Sequence, residues 1–417
     1  MEERKGFGSN FGFLMAAIGS AVGLGNIWGF PNKMGANGGF TFLIIYLILT
    51  ACCGFIVMMG ELARGAIGAY KILSRKFKWL GWLGVLSAFL ILGFYCALGG
   101  YCLKYVTLNV GNLFHAGFGT GTLDGAGVFD ALMANQGECV IYGLIFVAIT
   151  MVIVMGGVGG GIEKVCSVGM PALFVMLVIC IIRSCTLDGA VEGLKYMFVP
   201  GWALANGVIK EAPNFFSVVS TAGGQMFFSL SLGMAAMITY GSYLDKKENL
   251  QKNAIIIVVM DTLVALMAGL CVIPGRFALD PTGNLGGPSL LFVTMQNVFD
   301  RMGSVGPIFG IMFYLLVVFA AVSSSISLLE AVVAHFVDKA REQGKGDKRK
   351  TYSVLAGIAA GILCVVVCLD SLGTAGISPA DILGMRGTME ELPTWSADWL
   401  DFFDCIAEGI LLSLIHI

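Results

Sequence analysis

The chain has 417 residues, of which 57% are hydrophobic and only 12% are charged, and its formal net charge is −2. Because a soluble globular protein carries about 25% charged residues, this composition excludes a water-soluble domain as the main body of the protein. The nearly balanced charge gives no indication of nucleic-acid binding. The composition therefore favours an integral membrane protein.

The apolar residues fall into ten long blocks, most of them about 20 residues or longer, which is the length that crosses a bilayer as a helix. Numbered as spans one to ten, the blocks are 11–33, 41–68, 84–113, 140–157, 165–185, 215–243, 252–275, 307–339, 352–370 and 402–417. They predict an all-α, polytopic membrane protein with a single transmembrane domain over residues 1–417. Span ten ends after about 16 apolar residues, which is short for a crossing, so we expect the C-terminus to be truncated.

Lysine and arginine residues collect in alternate loops. They precede span one and follow spans two, six and eight: Arg4, Lys5, Lys71, Arg75, Lys76, Lys78, Lys246, Lys247, Lys252, Lys339, Arg341, Lys345, Lys348, Arg349 and Lys350. The loop at 114–139, on the opposite side, has neither lysine nor arginine. Since positively charged loops stay in the cytoplasm, we expect a cytoplasmic N-terminus and a location in the cell's inner (plasma) membrane.

Span one is interrupted by glycine. Gly19, Gly23 and Gly25 fall within seven residues, and Asn26 and Pro31 follow them. Each glycine weakens a helix by about 1 kcal/mol relative to alanine, so the run predicts either a helix broken at mid-membrane or a small-residue packing face. Asn26 favours the break, because a polar side chain at membrane depth is usually functional.

Span six has a comparable interruption at Ser229, Ser231 and Gly233, although these serines could simply bond back to their own helix. The two interrupted spans correspond if spans one to five (about 11–185) are repeated by spans six to ten (about 215–417). Because five is odd, the second repeat is inverted. Paired broken helices in such repeats indicate a midplane binding site, where freed carbonyls can bind a cation and a half-helix N-terminus can bind a carboxylate.

Other polar groups also lie at membrane depth. They are Ser323, Ser324 and Ser325 in span eight, the acids Glu61, Asp261 and Glu330, and Tyr95 in span three. Hard cations prefer oxygen ligands, so the serines are candidate ligands unless they bond back to their helix. An acid is costly in lipid unless it is paired or solvated, which makes each of these acids a functional or structural candidate.

Two further patterns have plain structural interpretations. The cysteines lie mostly inside apolar blocks and are predicted to be buried thiols rather than metal ligands or disulfides; examples are Cys52, Cys53, Cys96, Cys180 and Cys364. The glycine run at 156–161 lacks the strand and helix that a nucleotide-binding loop requires. It is predicted to be a flexible turn between spans four and five.

The interrupted and polar segments together resemble the neurotransmitter:sodium symporter family, specifically its bacterial amino-acid-transporting branch. The resemblance lies in residues 19–31, 61–65, 170–174, 225–243 and 319–329. It implies the leucine-transporter fold, with an inverted five-helix repeat and broken helices one and six. It also implies alternating-access import of a neutral, hydrophobic or aromatic amino acid with sodium, in a protein that is not an enzyme.

The resemblance assigns roles to residues of this chain. It implies two sodium sites, the first formed by Ala21, Asn26, Ser229 and Asp261, and the second by Gly19, Val22, Ala320, Ser323 and Ser324. It implies a substrate site formed by Ala21, Gly23, Leu24, Gly25, Ile91, Tyr95, Phe228, Ser229, Ser231, Met234, Ser324 and Leu328. Phe228 and Tyr95 correspond to an outer lid. A cytoplasmic gate would comprise Arg4, Phe7, Tyr243 and Asp338, and Glu61 would have a structural role.

The chain departs from the family pattern at several of these positions. Gly23 replaces the aspartate of monoamine carriers and implies an amino-acid substrate. Gly29 replaces the arginine of the outer gate, whose partner would be Asp401 or Asp404, and Phe7 replaces a tryptophan. Asp261, together with Ala265, implies transport that does not require chloride, with proton coupling through Asp261 as an additional possibility.

Three other functions stay open at this stage. An ion channel would need a repeated filter motif or a charged ring, and an intramembrane enzyme would need a nucleophile or metal set; neither pattern occurs in the sequence. The third is a substrate sensor or an inactive truncated homologue. Membrane lipid is an expected partner and nucleic acid is not, and the sequence leaves the oligomeric state undetermined.

Overall fold

The structure is a computed structural model that describes residues 6–63, 79–244, 247–279, 290–346, 348–385, 387 and 392–412. These residues form helices and connecting loops with no strand, which confirms the all-α prediction. Seven helices in these ranges are long and apolar enough to cross a membrane, and one bent helix pair adds a further span. Arg4 and the cations between spans two and three lie outside the described residues.

Most spans are continuous and end within a few residues of their predicted limits. Spans two to five and seven to nine are the helices Phe40–Leu62, Leu80–Leu113, Gln136–Met155, Val158–Cys185, Leu250–Leu279, Gly306–Glu342 and Arg349–Asp370. Span ten begins as Trp399–Asp404 and continues as the π-helical segment Cys405–Leu412. Short helices in the connections include Gly125–Ala134, Ala190–Phe198, Trp202–Ala205, Met295–Asp300, Pro379–Ile382 and Thr394–Ala397.

Spans one and six are broken, as predicted. Span one comprises Asn10–Ala21, a π-helical turn at Gly25–Gly29, and Phe30–Ala36, with a bend of 46° between its halves. Span six comprises Phe215–Ser229 and Ala236–Gly241, separated by residues 230–235. Within that separation Ser231 and Ala235 have φ of 54° and 60°, a left-handed conformation that costs a non-glycine residue about 1–2 kcal/mol.

The breaks lie at the centre of the bundle. Span eight packs lengthwise against span three, span four packs against span nine, and the first half of span one packs against spans five and eight. The residues around both breaks are buried, whereas large apolar side chains such as Ile56, Ile182 and Ile358 are exposed on the outer surface. Irregular backbone is tolerated at membrane depth only where protein surrounds it, and this packing supplies that protection.

Two predictions about local structure were wrong. Cys52 and Cys53 are exposed rather than buried, because they lie in a π-helical turn, Thr50–Gly54, on the outward face of span two. A thiol is weakly polar and tolerates an apolar surface. The glycine run at 156–161 is not a flexible turn throughout: only Gly156 and Gly157 turn, and Val158–Ile162 is the π-helical first turn of span five.

Candidate functional site

A small cavity lies between the two breaks. Its walls contain every predicted substrate residue except Leu24 and Ser229, with Ser20 in addition: Ser20, Ala21, Gly23, Gly25, Ile91, Tyr95, Phe228, Ser231, Met234, Ser324 and Leu328. Its volume is about 20 Å³, which is close to the space needed by one water molecule. Spans one, three, six and eight are therefore closed tightly around a common centre.

Two glycines allow this close approach. A Cβ atom on Gly23 would lie 2.3 Å from Tyr95 Oη and 2.4 Å from Ser324 Oγ, and one on Gly25 would lie 2.7 Å from Phe228 Cδ1. Between them, the Leu24 amide donates a hydrogen bond to Tyr95 Oη at 2.7 Å. Leu24 thus contributes its backbone beside the cavity rather than a wall of it.

The predicted first sodium site contains a buried cluster of polar side chains. Asn26 Nδ2 donates to Asp261 Oδ1 at 2.7 Å and to Ser229 Oγ at 2.9 Å, while Ser229 Oγ donates to Asp261 Oδ2 at 2.9 Å. Asn26 Oδ1 accepts a hydrogen bond from the Gly23 amide at 3.1 Å. Ser229 therefore belongs to this cluster and not to the cavity wall, because its side chain turns toward Asp261.

One member of this cluster was not among the predicted residues. Tyr46 of span two donates from its hydroxyl to Ser229 Oγ at 3.4 Å. Its only signal in the sequence is a phenol inside an otherwise apolar block. The fourth predicted member, Ala21, lines the adjoining cavity.

The predicted second sodium site brings two hydroxyl groups onto carbonyl groups of span one. Ser323 Oγ lies 3.5 Å from Val22 O and 3.0 Å from Ala320 O, and Ser324 Oγ lies 3.3 Å from Gly19 O. All five predicted groups therefore meet. Ser323 also bonds back to its own helix through Ala320, as the structural interpretation of the serine run predicted; the ligand role stays a prediction.

Ser20 was not among the predicted residues, although it takes part in three contacts that join span one to spans six and eight. Its carbonyl accepts hydrogen bonds from Ser324 Oγ at 3.1 Å and from Ser231 Oγ at 2.8 Å, and its hydroxyl donates to Ser327 Oγ at 2.7 Å. A serine beside Gly19 carried no signal that separates it from a packing residue.

Glu61 supports the break in span six. Its Oε1 accepts a hydrogen bond of 2.6 Å from the amide of Gly233, which has φ of 82° and no helical partner of its own. A backbone amide without a partner is costly in an apolar environment. The carboxyl group of span two therefore stabilises the non-helical segment of span six.

At the end of the bundle where span one begins, aromatic rings close the centre. The Phe7 ring lies 5.5 Å from Phe13, 5.7 Å from Tyr240 and 6.2 Å from Tyr243, all with edge-to-face geometry. The aromatic contact of Phe7 with Tyr243 joins two of the predicted gate residues. Asp338 lies further along span eight and is half-buried.

The same end contains a buried ion pair that joins spans eight and nine. Glu330 is fully buried, and its two carboxylate oxygens accept hydrogen bonds of 2.6 and 2.9 Å from the Arg349 guanidinium group. Tyr243 Oη donates to Glu330 Oε1 at 2.5 Å. Glu330 is therefore paired rather than available to a ligand.

At the opposite end, a lysine side chain, Lys33, lies over the Phe228 ring. Its Nζ lies 5.9 Å from the centre of the Phe228 ring, and its charge acts on the carboxyl groups of Asp404 and Glu408. Gly29 faces the Gln225 side chain instead. Of the two acids left open by the sequence, Asp404 is the one on which the charge of Lys33 acts.

Comparisons with known proteins agree with this arrangement. Residues 4–113 and 131–385 match the family model described as sodium:neurotransmitter symporter family. The chain is 36% identical over 376 residues to the sodium-dependent transporter YhdH of Bacillus subtilis, covering 87% of this chain and 78% of that protein. It is 31% identical over 362 residues to the sodium-dependent transporter MJ1319 of Methanocaldococcus jannaschii, covering 81% of this chain and 70% of that protein.

Among solved structures, the chain is similar to MhsT in complex with L-phenylalanine. The TM-score is 0.82 and the sequence identity is 35%, over 99% of this chain and 88% of MhsT. The likeness therefore extends through both broken helices and nearly all of the chain.

Proposed function

Because this chain belongs to the sodium:neurotransmitter symporter family, we propose that it imports a neutral, hydrophobic or aromatic amino acid by sodium-coupled symport. The observation that carries the proposal is the meeting of two non-helical segments, 22–23 and 230–235, around one buried cavity. Two groups of oxygen atoms flank that cavity. Such segments offer free carbonyls to a cation and free amides to a carboxylate.

The cavity walls favour an amino acid with an apolar side chain. Ile91, Phe228, Met234 and Leu328 supply apolar surface, and the only polar side chains on the wall are hydroxyl groups. The substrate carboxylate would meet the amides near Leu24 and the Tyr95 hydroxyl, and the substrate amino group would meet carbonyls of spans one and six. MhsT, solved with L-phenylalanine, supports the same substrate class. The cavity must widen to admit such a molecule.

The first sodium ion would bind between Asn26, Ser229, Asp261 and the Ala21 carbonyl, and the substrate carboxylate would complete its ligand set. Asn26 presents its amino group to Asp261 in the present arrangement. A cation needs the side-chain oxygen, Oδ1, instead. Sodium binding would therefore rotate the Asn26 carboxamide so that Oδ1 faces the ion. Asp261 supplies a full negative charge where no lysine or arginine side chain pairs with it among the described residues.

The second sodium ion would bind among the carbonyls of Gly19, Val22 and Ala320 and the hydroxyls of Ser323 and Ser324. Those hydroxyls now donate their hydrogens to the carbonyls. Rotation of the hydroxyl hydrogens away from the centre would leave oxygen atoms alone facing the ion, which is the ligand type that hard cations prefer.

The transport cycle follows from these sites. Sodium binds first and stabilises an outward-open form, and the amino acid then completes the first sodium site. Phe228 and Tyr95 close over the substrate, and the aromatic cluster around Phe7 then opens toward the cytoplasm. In this proposal the N-terminus lies in the cytoplasm, and the protein lies in the cell's inner (plasma) membrane.

Chloride is not required in this proposal, because the Asp261 carboxylate supplies the negative charge beside the first sodium ion. Ala265, one turn further along span seven, offers no charge of its own. Uptake should therefore persist when chloride is replaced by gluconate. Loss of uptake in gluconate would contradict this part, and acidification of the vesicle lumen during uptake would favour proton coupling through Asp261.

Uptake of labelled amino acids into proteoliposomes tests the function. We expect accumulation only with an inward sodium gradient, and Ser323→Ala should abolish it. Ser325→Ala is a matched control, because that hydroxyl bonds to Val322 and Thr150 away from the proposed ions. Equal uptake with and without the gradient would overturn the proposal.

The same preparation separates the main alternatives. Sodium-dependent binding without uptake would identify a sensor, and flux at channel rates would identify a channel. A thermal-shift screen of the twenty amino acids, with and without sodium, would identify the substrate.

A further inference from the structure

One carboxylate joins the beginning of span one to the beginning of span five. Glu163 Oε2 accepts a hydrogen bond of 2.7 Å from the Gly8 amide, and Glu163 Oε1 accepts one of 3.0 Å from the Ser9 hydroxyl. The partners are more than 150 residues apart in the chain. Neither the family resemblance nor the proposed transport sites include this group.

The contact completes the N-terminus of a helix. Ser9 is the N-cap of Asn10–Ala21, and its Oγ accepts a hydrogen bond of 2.9 Å from the Gly12 amide. The first turn of this helix has no acidic residue of its own. Because the N-terminus of a helix carries partial positive charge and free amides, Glu163 supplies from another span the negative charge that this terminus lacks.

The fit between the two elements is close. A Cβ atom on Gly12 would lie 1.9 Å from Glu163 Oε1 and 2.2 Å from Glu163 Cδ. The helix of span one therefore rests directly on the carboxylate, and any side chain at position 12 would separate them.

Glu163 lies next to a segment of span five with low intrinsic helix stability. It follows the π-helical turn Val158–Ile162, and Gly157 immediately before that turn has φ of 77°. The turn includes three consecutive glycines, each of which weakens a helix by a measurable amount. Segments with few side-chain contacts open at low free energy, so this end of span five depends on contacts such as those of Glu163.

We propose that Glu163 is a positioning residue of the transport cycle, whose carboxylate holds the first half of span one against span five and so keeps the inner pathway closed. This inference rests on the proposed transport function, and it takes inward opening to move that half away from span five. Asn10 and Asn253, which exchange hydrogen bonds of 3.0 and 3.3 Å, hold the same helix to span seven.

The chain contains its own reporter of this movement. Cys166, on span five one turn beyond Glu163, is 1% exposed, and its Sγ lies 3.4 Å from the position of a Cβ on Gly19. A water-soluble maleimide should reach Cys166 only when span one moves away. Cys271 is equally buried, 1% exposed, but lies between spans five and seven near their other ends and serves as an internal control.

The experiment compares maleimide modification of Cys166 and Cys271, resolved by peptide mass spectrometry, in the wild type and in Glu163→Gln. Loss of a capping partner shifts a helix-end equilibrium by about three- to tenfold, so we expect Cys166 to react three to ten times faster, with Cys271 unchanged. Ser9→Ala removes one of the two hydrogen bonds to Glu163 together with the N-cap of this helix, so it should also raise the Cys166 rate. Glu192→Gln, at an exposed surface ion pair, should change neither rate.

Each outcome decides the inference. An unchanged Cys166 rate in Glu163→Gln, or an equal rise at Cys166 and Cys271, would overturn it, because the second result indicates general loosening. Sodium-driven uptake by the wild type is measured in the same preparation. Absence of that uptake would refute the transport function, whereas normal uptake with an unchanged Cys166 rate would refute only the role of Glu163.

Discussion

Gly23→Ala offers the most direct test of how the broken helices meet. The added Cβ would lie 2.3 Å from Tyr95 Oη and 2.4 Å from Ser324 Oγ. Neither group can move away without breaking hydrogen bonds, because Tyr95 Oη accepts from the Leu24 amide and Ser324 Oγ donates to carbonyls of span one. The added methyl group therefore destabilises the close packing of span one against spans three and eight, and the proposed substrate-bound form requires that packing.

The size of the effect follows from these contacts. Displacing Tyr95 from the Leu24 amide loses a hydrogen bond that contributes about 1 kcal/mol, and forcing a methyl group into a packed centre costs about 1–3 kcal/mol. A total of about 2–4 kcal/mol corresponds to an affinity loss of about 30- to 1000-fold.

Sodium-dependent binding of L-phenylalanine, or of the amino acid that the thermal-shift screen identifies, measures this loss. Gly224→Ala is the matched control, since it lies on the same helix as Phe228 and its Cβ would have no neighbour within 4 Å. We expect Gly224→Ala to bind as the wild type does. If Gly23→Ala unfolds at the wild-type temperature and binds within threefold of the wild type, the reasoning about this approach is wrong.

Two further substitutions probe the ends of the pathway. Lys33→Gln removes the cation over the Phe228 ring, which is worth about 0.5–1 kcal/mol at a partly exposed site, so bound substrate should dissociate about two to five times faster in a washout assay. Arg349→Ala leaves the buried Glu330 carboxylate unpaired and should lower the free energy of unfolding by about 3–5 kcal/mol, measured by denaturant unfolding.

Each of these substitutions has a control. Lys195→Gln removes a lysine from an exposed ion pair remote from the cavity and should leave dissociation unchanged; a Lys33→Gln rate equal to that of the wild type would count against the outer cation. For the ion pair, Glu330→Gln combined with Arg349→Met should recover most of the lost stability. Failure of that double variant to recover would mean that packing, rather than an unpaired charge, determines the effect.

The sequence predicted both breaks because each rests on residues that are rare inside apolar blocks. Gly23 and Asn26 in span one, and Ser229 and Gly233 in span six, are visible without any structure. The intramembrane acids were visible for the same reason, although their partners were not: Arg349 lies 19 residues from Glu330, and Gly233 lies 172 residues from Glu61.

Other features had no sequence signal of this kind. Residues 51–59 of span two are all apolar or glycine, so no periodicity could show that Cys52 faces outward. Tyr46 and Ser20 contact the site only because of how the helices pack, and no feature of the sequence indicates these contacts. Lys33 lies one turn beyond Gly29, the position at which the family pattern has its outer cation, so that pattern did not point to it. The ligand roles of the two oxygen clusters stay predictions, although their members lie together.

The π-helical turn at Thr50–Gly54 fixes the angular phase of span two. A wide turn accommodates one residue more than an α-helical turn, so the helix on either side of it is offset by about 100°. Gly54 lies against Leu230 and Met226, where the wide turn makes room for span six. Two turns later Glu61 reaches the Gly233 amide. Deleting a single residue here would rotate Glu61 off that amide, so the length of span two is set by the shape of its neighbour as well as by the thickness of the membrane.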